Sequence, residues 1–189
     1  MTDVADYLST LLQRLPQMDS VAAEQMLSDA ALKHPNDARP LLLLAAQYAH
    51  AQQMDRAEAC YIEALQRAPD FAIARFQLGL LQFSSARPAA ALATLAPLDQ
   101  LPDGHALRLF KNAFACLAQD QLQDARTWLL QGIAGNIDNA PLNGDMQKII
   151  RQIDLLNAPS QAAIEVPKEA PVAPPMEHHF LLSAYNKLH

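Results

Sequence analysis

The chain of 189 residues has the size of one domain, and its 51% hydrophobic and 18% charged residues exclude disorder throughout. With 13 prolines, only 5 glycines and few β-branched residues, the composition favours helices separated by proline-marked turns over a sheet protein. The formal net charge of −6 argues against nucleic acid or an anionic membrane surface as a ligand, so we expect a protein partner.

The first residues and the cysteines indicate a compartment. Residues 1–6 carry acids where a secretory signal would carry positive charge, and no apolar stretch approaches the roughly 18 residues needed to span a bilayer. Cys60 and Cys116 are too few for a disulfide framework and belong to no CxxC pair, which favours a reducing compartment. We therefore expect a cytoplasmic protein with no segment inserted in a membrane.

A spacing of 34 residues recurs along the chain. Small residues recur at Ala23, Ala57, Ala91 and Ala125, and a large apolar residue follows four positions later at Leu27, Tyr61, Leu95 and Leu129. A third series at this period is Ala30, Ala64, Leu98 and Gly132. Pro35, Pro69 and Pro102 close the first three segments, because proline lacks the N–H that a helix interior needs.

This pattern resembles the tetratricopeptide repeat (TPR) family, whose repeat is an antiparallel helix pair that stacks on its neighbours. Residues 38–71 give the best match, with the family's large and small residues in order at Leu41, Leu44, Ala45, Tyr48, Ala57, Tyr61, Ala64 and Pro69. Residues 72–104 and 105–138 keep part of the pattern, whereas the first helix of the first unit, residues 3–15, departs from it. The resemblance implies an all-α, TPR-type solenoid of about four helix pairs.

The segment after the repeats has the pattern of a capping helix. Residues 141–157 carry an apolar helical stripe at Leu142, Met146, Ile149, Ile150, Ile153 and Leu156. The opposite face of the same helix carries Asp145, Lys148, Arg151 and Asp154. We therefore expect residues 1–157 to form the solenoid together with a cap that has a wet outer face.

The composition changes after Asn157. Residues 158–177 are rich in proline and alanine, which is typical of an extended, solvated linker. Residues 178–189 then form a short amphipathic motif, whose apolar members are Phe180, Leu181, Leu182, Tyr185 and Leu188. Such a segment on a tether resembles a linear binding motif, which could occupy a groove of its own chain or of a neighbour.

In the TPR family the first helix of each pair lines the concave face. On these helices one apolar stripe recurs at 34-residue intervals, and its members are Leu42, Ala46, Phe76, Leu80, Phe83, Phe110, Phe114 and Leu117. Some TPR domains bind a partner's terminal carboxylate with lysines and asparagines on this stripe, but the matching positions here are apolar. The resemblance therefore implies a groove that holds a hydrophobic or amphipathic segment of a client protein.

A second interpretation of the same stripe stays open. Aromatic residues at helical spacing are commonly core residues, and Arg75 and Gln82 replace large apolar residues of the family pattern. This replacement is consistent with a rotated first helix in the third repeat, which would point Phe76 and Phe83 into the core.

The expected function is that of a non-catalytic adaptor or chaperone-like module. The size, acidity and helix pairs resemble the class II chaperones of bacterial type III secretion. One alternative is a structural assembly subunit that docks its tail in a neighbouring protomer, and another is an enzyme regulator that acts through the tail motif. The sequence contains no phosphate-binding glycine motif, no nucleophile elbow and no zinc-ligand spacing, so we expect no catalytic residue, cofactor or metal site.

Overall fold

Helices account for all the regular structure in the computed structural model, which describes residues 3–137 and 139–157. In these residues nine α-helices follow one another: α1 Asp3–Arg14, α2 Ser20–Lys33, α3 Arg39–His50, α4 Met54–Arg67, α5 Ala72–Ser84, α6 Pro88–Leu95, α7 Ala106–Leu117, α8 Leu122–Gly135 and α9 Ala140–Asn157. Short 3₁₀ segments follow α1 and α6, at Leu15–Gln17 and Ala96–Gln100. The predicted all-α class with TPR-type helix pairs is confirmed, and α3 packs on α4 as α7 packs on α8.

The 34-residue period extends to the backbone of the turns inside the helix pairs. Gln52, Ala86 and Asp120 stand 34 residues apart, and all three adopt left-handed backbone angles, with φ of 59°, 57° and 56°. The residue after each of them donates its N–H to a carbonyl five positions back, as in the pair Gln53 to Tyr48 at 2.8 Å. This is the Schellman motif, and it ends α3, α5 and α7 in the same way.

The first helix pair turns differently. Met18 occupies the position equivalent to Gln52, but its backbone is extended, with φ of −106° and ψ of 150°. Pro16 lies in the preceding 3₁₀ segment, and Asp19 begins α2 by accepting a hydrogen bond from the backbone N–H of Ala22 at 2.8 Å. The departure of α1 from the family pattern is therefore accompanied by a different connection.

The chain divides within α5 into two units, Met1–Leu81 and Gln82–His189. The core of the first unit contains Leu11, Leu27, Leu44, Ala45, Tyr48, Ala57 and Tyr61. The largest fully buried side chains of the second unit are Phe110, Phe114, Leu95, Leu98, Leu117, Leu129, Leu142, Met146 and Ile153. The small and large residues that recur every 34 positions thus belong to the interior of both units.

One polar cluster joins three helices of the first unit. The hydroxyl of Tyr48 on α3 donates to Glu24 of α2 at 2.9 Å, and the guanidinium of Arg56 on α4 donates to the same carboxylate at 2.5 Å. The Arg56 guanidinium also lies over the Tyr48 ring, 3.9 Å from its centroid. The hydrogen bond from Arg56 lowers the pKa of Glu24, so the carboxylate stays charged. The cluster therefore connects the first two helix pairs.

Helix α9 has the two faces expected of a cap. Of its predicted apolar stripe, Leu142, Met146, Ile149, Ile150 and Ile153 are buried. Leu156, in the last turn of α9, is 47% exposed. The opposite face is solvated, and Asp154 pairs there with Arg126 of α8 at 2.7 Å. The predicted linker and tail motif, residues 158–189, lie outside the described residues and stay predictions.

Candidate protein-interaction surfaces

An apolar row on α3 remains accessible in the first unit. Leu42 and Ala49 are half-buried, and Ala46 between them is exposed. We refer to these three residues as the α3 row. Leu80 on α5, which also belongs to the predicted stripe, is half-buried. The row is accessible because α3 directs a different set of residues, Leu41, Leu44, Ala45 and Tyr48, into the core.

The equivalent row on α7 is buried. Phe110, Phe114 and Leu117 are each exposed by at most 1% of their surface. The ring of Phe110 lies directly over Gly132 of α8, where a Cβ atom would stand 2.5 Å from the ring atom Cδ1. Phe114 packs edge to face against Phe83, with ring centroids 4.8 Å apart. We refer to Phe110, Phe114 and Leu117 as the α7 row.

Five of the eight residues predicted to line a groove are therefore core residues: Phe76, Phe83, Phe110, Phe114 and Leu117. The expectation that these side chains are open to a partner is wrong. For the four phenylalanines the physical reason is their size, since a buried phenylalanine removes more apolar area from water than any aliphatic residue of the row. For Phe76 and Phe83 this agrees with the second interpretation above. Partner binding by Leu42, Ala46 and Leu80 stays a prediction.

Gln82 on α5 is a buried polar residue at a position where the TPR pattern has a large apolar residue. It is only 7% exposed, and its side-chain oxygen accepts a hydrogen bond from the hydroxyl of Thr94 on α6 at 2.7 Å. A polar side chain at this position of the family pattern is tolerated because it has a partner. The neighbouring position in the sequence, Phe83, provides the apolar contact instead.

The half-buried face of α7 is polar and makes ion pairs with the preceding segment. Lys111 pairs with Asp99 at 2.6 Å, and Arg108 pairs with Asp103 at 2.6 Å. Arg108 also donates to the backbone carbonyl of Leu101 at 2.7 Å. These contacts attach the connection between α6 and α7 to the polar face of α7.

A cleft between α1 and α2 was not foreseen. It has a volume of about 680 Å³. Its lining residues are Tyr7, Thr10, Leu11, Arg14, Met18, Ala22, Gln25, Met26, Asp29, Ala30, Lys33 and His34. A signal was present in the sequence, because Ala22, Met26 and Ala30 recur every four residues and mark one face of α2, which Met18 precedes. We refer to this site as the α1–α2 cleft.

Polar contacts hold α1 at one end of this cleft. The ring of Tyr7 stacks on His34 with centroids 3.8 Å apart, and its hydroxyl donates to Asp37 at 2.6 Å. Arg39 donates to the same carboxylate at 2.6 Å, and this interaction lowers the pKa of Asp37 below its ordinary value. Burial and the hydrogen bond to Asp37 raise the pKa of Tyr7 to about 12. The contacts position α1 against the turn between α2 and α3.

The titratable groups provide little reactive chemistry. Burial raises the pKa of Cys60 and of Cys116, so both stay thiols, which are weak nucleophiles and poor metal ligands. Within residues 3–137 and 139–157, no three histidine, cysteine, aspartate or glutamate side chains come together as a metal site. No helix in that part of the chain is long and apolar enough to cross a membrane.

Comparison with known proteins places the chain by its fold. No protein-family model matches it, and no curated protein matches it. Two solved structures are similar in three dimensions. The first, MamA 41-end from Desulfovibrio magneticus RS-1, has 17% sequence identity and a TM-score of 0.55, over 82% of this chain and 92% of that chain. The second, the MamA RS-1 ArsTM double mutant, has 13% identity and a TM-score of 0.55, over 84% and 98%. At this identity the likeness shows the fold alone, a TPR-type helical repeat.

Proposed function

We propose that this protein is a non-catalytic protein–protein interaction module of the adaptor or scaffold type, which holds an apolar or amphipathic segment of a partner on the α3 row. The observation that carries the proposal is the exposure of Ala46 between the half-buried Leu42 and Ala49. A TPR-type fold supports a binding role, because stacked helix pairs produce extended surfaces for partner chains.

The shape of the α3 row determines what the partner must supply. The rings that would have deepened a groove are buried, so the row is aliphatic and shallow. A small residue such as Ala46 allows another helix to approach closely and to place a large side chain over it. We therefore propose that the partner contributes the leucine- or phenylalanine-sized anchors, and that Leu42 and Ala49 flank them.

The test uses two matched substitutions. Ala46→Glu places a charge in the α3 row, whereas Ala59→Glu places the same charge at an exposed position of α4. Tagged full-length protein with each substitution is used to capture partners from a lysate, and mass spectrometry quantifies them. Burial of an unpaired carboxylate is unfavourable, so Ala46→Glu is expected to reduce capture of the partner at least about tenfold. Ala59→Glu is expected to leave it unchanged.

Circular dichroism controls for folding, since both alanines are exposed and both variants are expected to keep the wild-type melting temperature. If Ala46→Glu retains every partner that the wild-type protein captures, the α3 row is not the binding surface.

The finer predictions from the sequence stay predictions. They are a chaperone role like that of the class II chaperones, a cytoplasmic location, and assembly by docking residues 178–189 in a neighbouring protomer. Light scattering tests the assembly alternative, because a protein that stays monomeric with and without residues 176–189 does not assemble by tail exchange. If the tail occupies its own chain's surface, the same deletion is expected to increase affinity for the client.

A further inference from the structure

We propose that the α1–α2 cleft is a second docking site, and that its occupant is a three-turn amphipathic helix of a partner protein with acidic residues at both ends of its apolar stripe. This inference rests on the proposed function as an interaction module. It concerns different helices from the α3 row, so the two sites can be tested separately.

The dimensions of the cleft fit a short helix. Its α2 wall extends from Ala22 to Lys33, which is about 16 Å at a rise of about 1.5 Å per residue. A partner helix of about 11 residues, or three turns, spans the same length. The α1 and α2 walls leave a space of about 680 Å³ between them, which the side chains of a third helix can enter by ordinary packing.

The floor of the cleft is apolar and adaptable. Leu11 and Ala30 are buried, while Met18, Ala22 and Met26 are half-buried. Methionine side chains are unbranched and polarizable, so they can adjust to partner residues of different shape. Because the two alanines are small, large apolar side chains of the partner can enter between the methionines. This composition favours a leucine-rich stripe over a polar ligand.

The charges at the ends of the cleft select the sign of the partner. Arg14 lies at the end of α1, and Lys33 lies at the end of α2, so the antiparallel helices place them at opposite ends of the cleft. Neither forms an ion pair with another residue in the described part of the chain. The one acid in the lining, Asp29, accepts a hydrogen bond from Gln25 at 2.8 Å. A protein with a net charge of −6 thus presents a net positive cleft, which attracts an acidic segment.

Charge also distinguishes this occupant from the protein's own tail motif. Residues 178–189 carry an apolar stripe, but the charged residues at or beside its ends are Glu177 and Lys187. Glu177 would lie beside one cation of the cleft, whereas Lys187 would lie beside the other cation and be repelled by it. An external helix with acids at both ends is therefore the better complement, and occupation by the tail becomes an outcome of the test.

The experiment measures binding of two fluorescein-labelled peptides to the full-length protein by fluorescence anisotropy. Both peptides have about 14 residues and leucines at i, i+4, i+7 and i+11, and they differ only in glutamates or lysines at the two ends of the stripe. The glutamate peptide is expected to bind about tenfold more tightly at about 0.05 M salt. This preference is expected to disappear near 1 M salt, where exposed charges are screened.

Two matched charge reversals locate the site. Lys33→Glu is expected to weaken binding of the glutamate peptide about fivefold and to strengthen binding of the lysine peptide. Arg151→Glu makes the same change in charge at an exposed position of α9 and is expected to alter neither affinity. Ala46→Glu is expected to leave peptide binding intact, so loss of the α3 site and loss of the α1–α2 site are distinguishable.

Three results would overturn the proposal. Equal affinities of the two peptides at low salt would show that the cleft does not select an acidic partner. Equal effects of Lys33→Glu and Arg151→Glu would show that the peptide does not bind in the α1–α2 cleft. If deletion of residues 176–189 makes the glutamate peptide bind about tenfold more tightly, the tail motif is the resident occupant and the external helix is not.

Discussion

Helices α3 and α7 occupy the same place in two repeats that are 68 residues apart, and both bury the positions of Leu41 and Ala45, but they differ at the positions beside these. The positions that form the accessible α3 row are filled on α7 by Phe110, Phe114 and Leu117, all of which are buried. A family pattern therefore fixes the existence and the spacing of the helices. It does not fix which stripe of a first helix becomes the core.

The second helix of each pair explains the difference. On α8, Gly132 leaves space that the ring of Phe110 fills. On α4 the equivalent residue is Ala64, and the smaller Leu42 packs against the buried cluster to which Ala64 belongs. Leucine with alanine and phenylalanine with glycine are therefore the residues at equivalent positions of the two helix pairs, and only the glycine gives a ring room to lie against the second helix.

The largest expected effect is on the α7 row. Phe114→Ala removes a fully buried ring and its contact with Phe83, and we expect a loss of about 3 to 5 kcal/mol in the free energy of unfolding. Leu42→Ala, in the half-buried α3 row, is expected to cost about 1 to 2 kcal/mol. Urea titration followed by circular dichroism reports the loss of helix in both units. Similar losses for both variants would contradict the contrast between the rows.

An intermediate effect is expected from substitutions at Gly132 and at Phe110, whose ring covers it. Gly132→Ala places a methyl group against the ring of Phe110, and we expect a loss of about 1 to 3 kcal/mol. Adding Phe110→Leu to this variant recreates the combination found on α3 and α4, so the two changes together are expected to cost less than the sum of the separate changes. The coupling is read from the same urea titrations. Strict additivity would mean that the two residues do not share one space.

Much of this architecture could be predicted from the sequence, and the remainder shows where pattern analysis fails. The period of 34 residues located the helix pairs, because small residues and prolines mark helix contacts and ends, and an apolar helical stripe located the α9 cap. The sequence did not show that α7 buries two adjacent apolar stripes, Leu109 with Ala113 and Phe110 with Phe114, at the same time. The space beside Gly132 that receives the ring of Phe110 is a property of the packed helices.

Residues that depart from the TPR pattern indicated how a first helix is turned. Gln82 and Arg75 favour a rotated α5 that points Phe76 and Phe83 into the core, and both rings are buried. The α1–α2 cleft depends on how closely two helices approach, which spacing along the chain does not specify. Ala22, Met26 and Ala30 line a cleft only because α1 forms its other wall.

The smallest expected effect concerns the feature that both regions share, the left-handed residue after the first helix. A side chain at positive φ is strained, whereas glycine adopts this conformation readily. We therefore expect Ala86→Gly to increase the free energy of unfolding by about 0.5 to 1 kcal/mol. Asp120→Gly is expected to gain less, because aspartate tolerates this conformation better than alanine.

The matched control is Ala59→Gly, which introduces glycine into the interior of α4 at an exposed position. This variant is expected to lose about 1 kcal/mol, since glycine is a poor helix former. Thermal melting followed by circular dichroism compares these three variants with the wild-type protein. A melting temperature of Ala86→Gly below that of the wild-type protein would show that the turn is not under strain.

The ring over Gly132 also constrains the order in which such a pair can evolve. An ancestor with leucine and alanine at these positions reaches phenylalanine and glycine through one of two single-substitution intermediates. Glycine first leaves a small void, whereas phenylalanine first forces two groups into one space. The void is the milder defect, so the glycine is expected to precede the ring in the lineage that filled this interior.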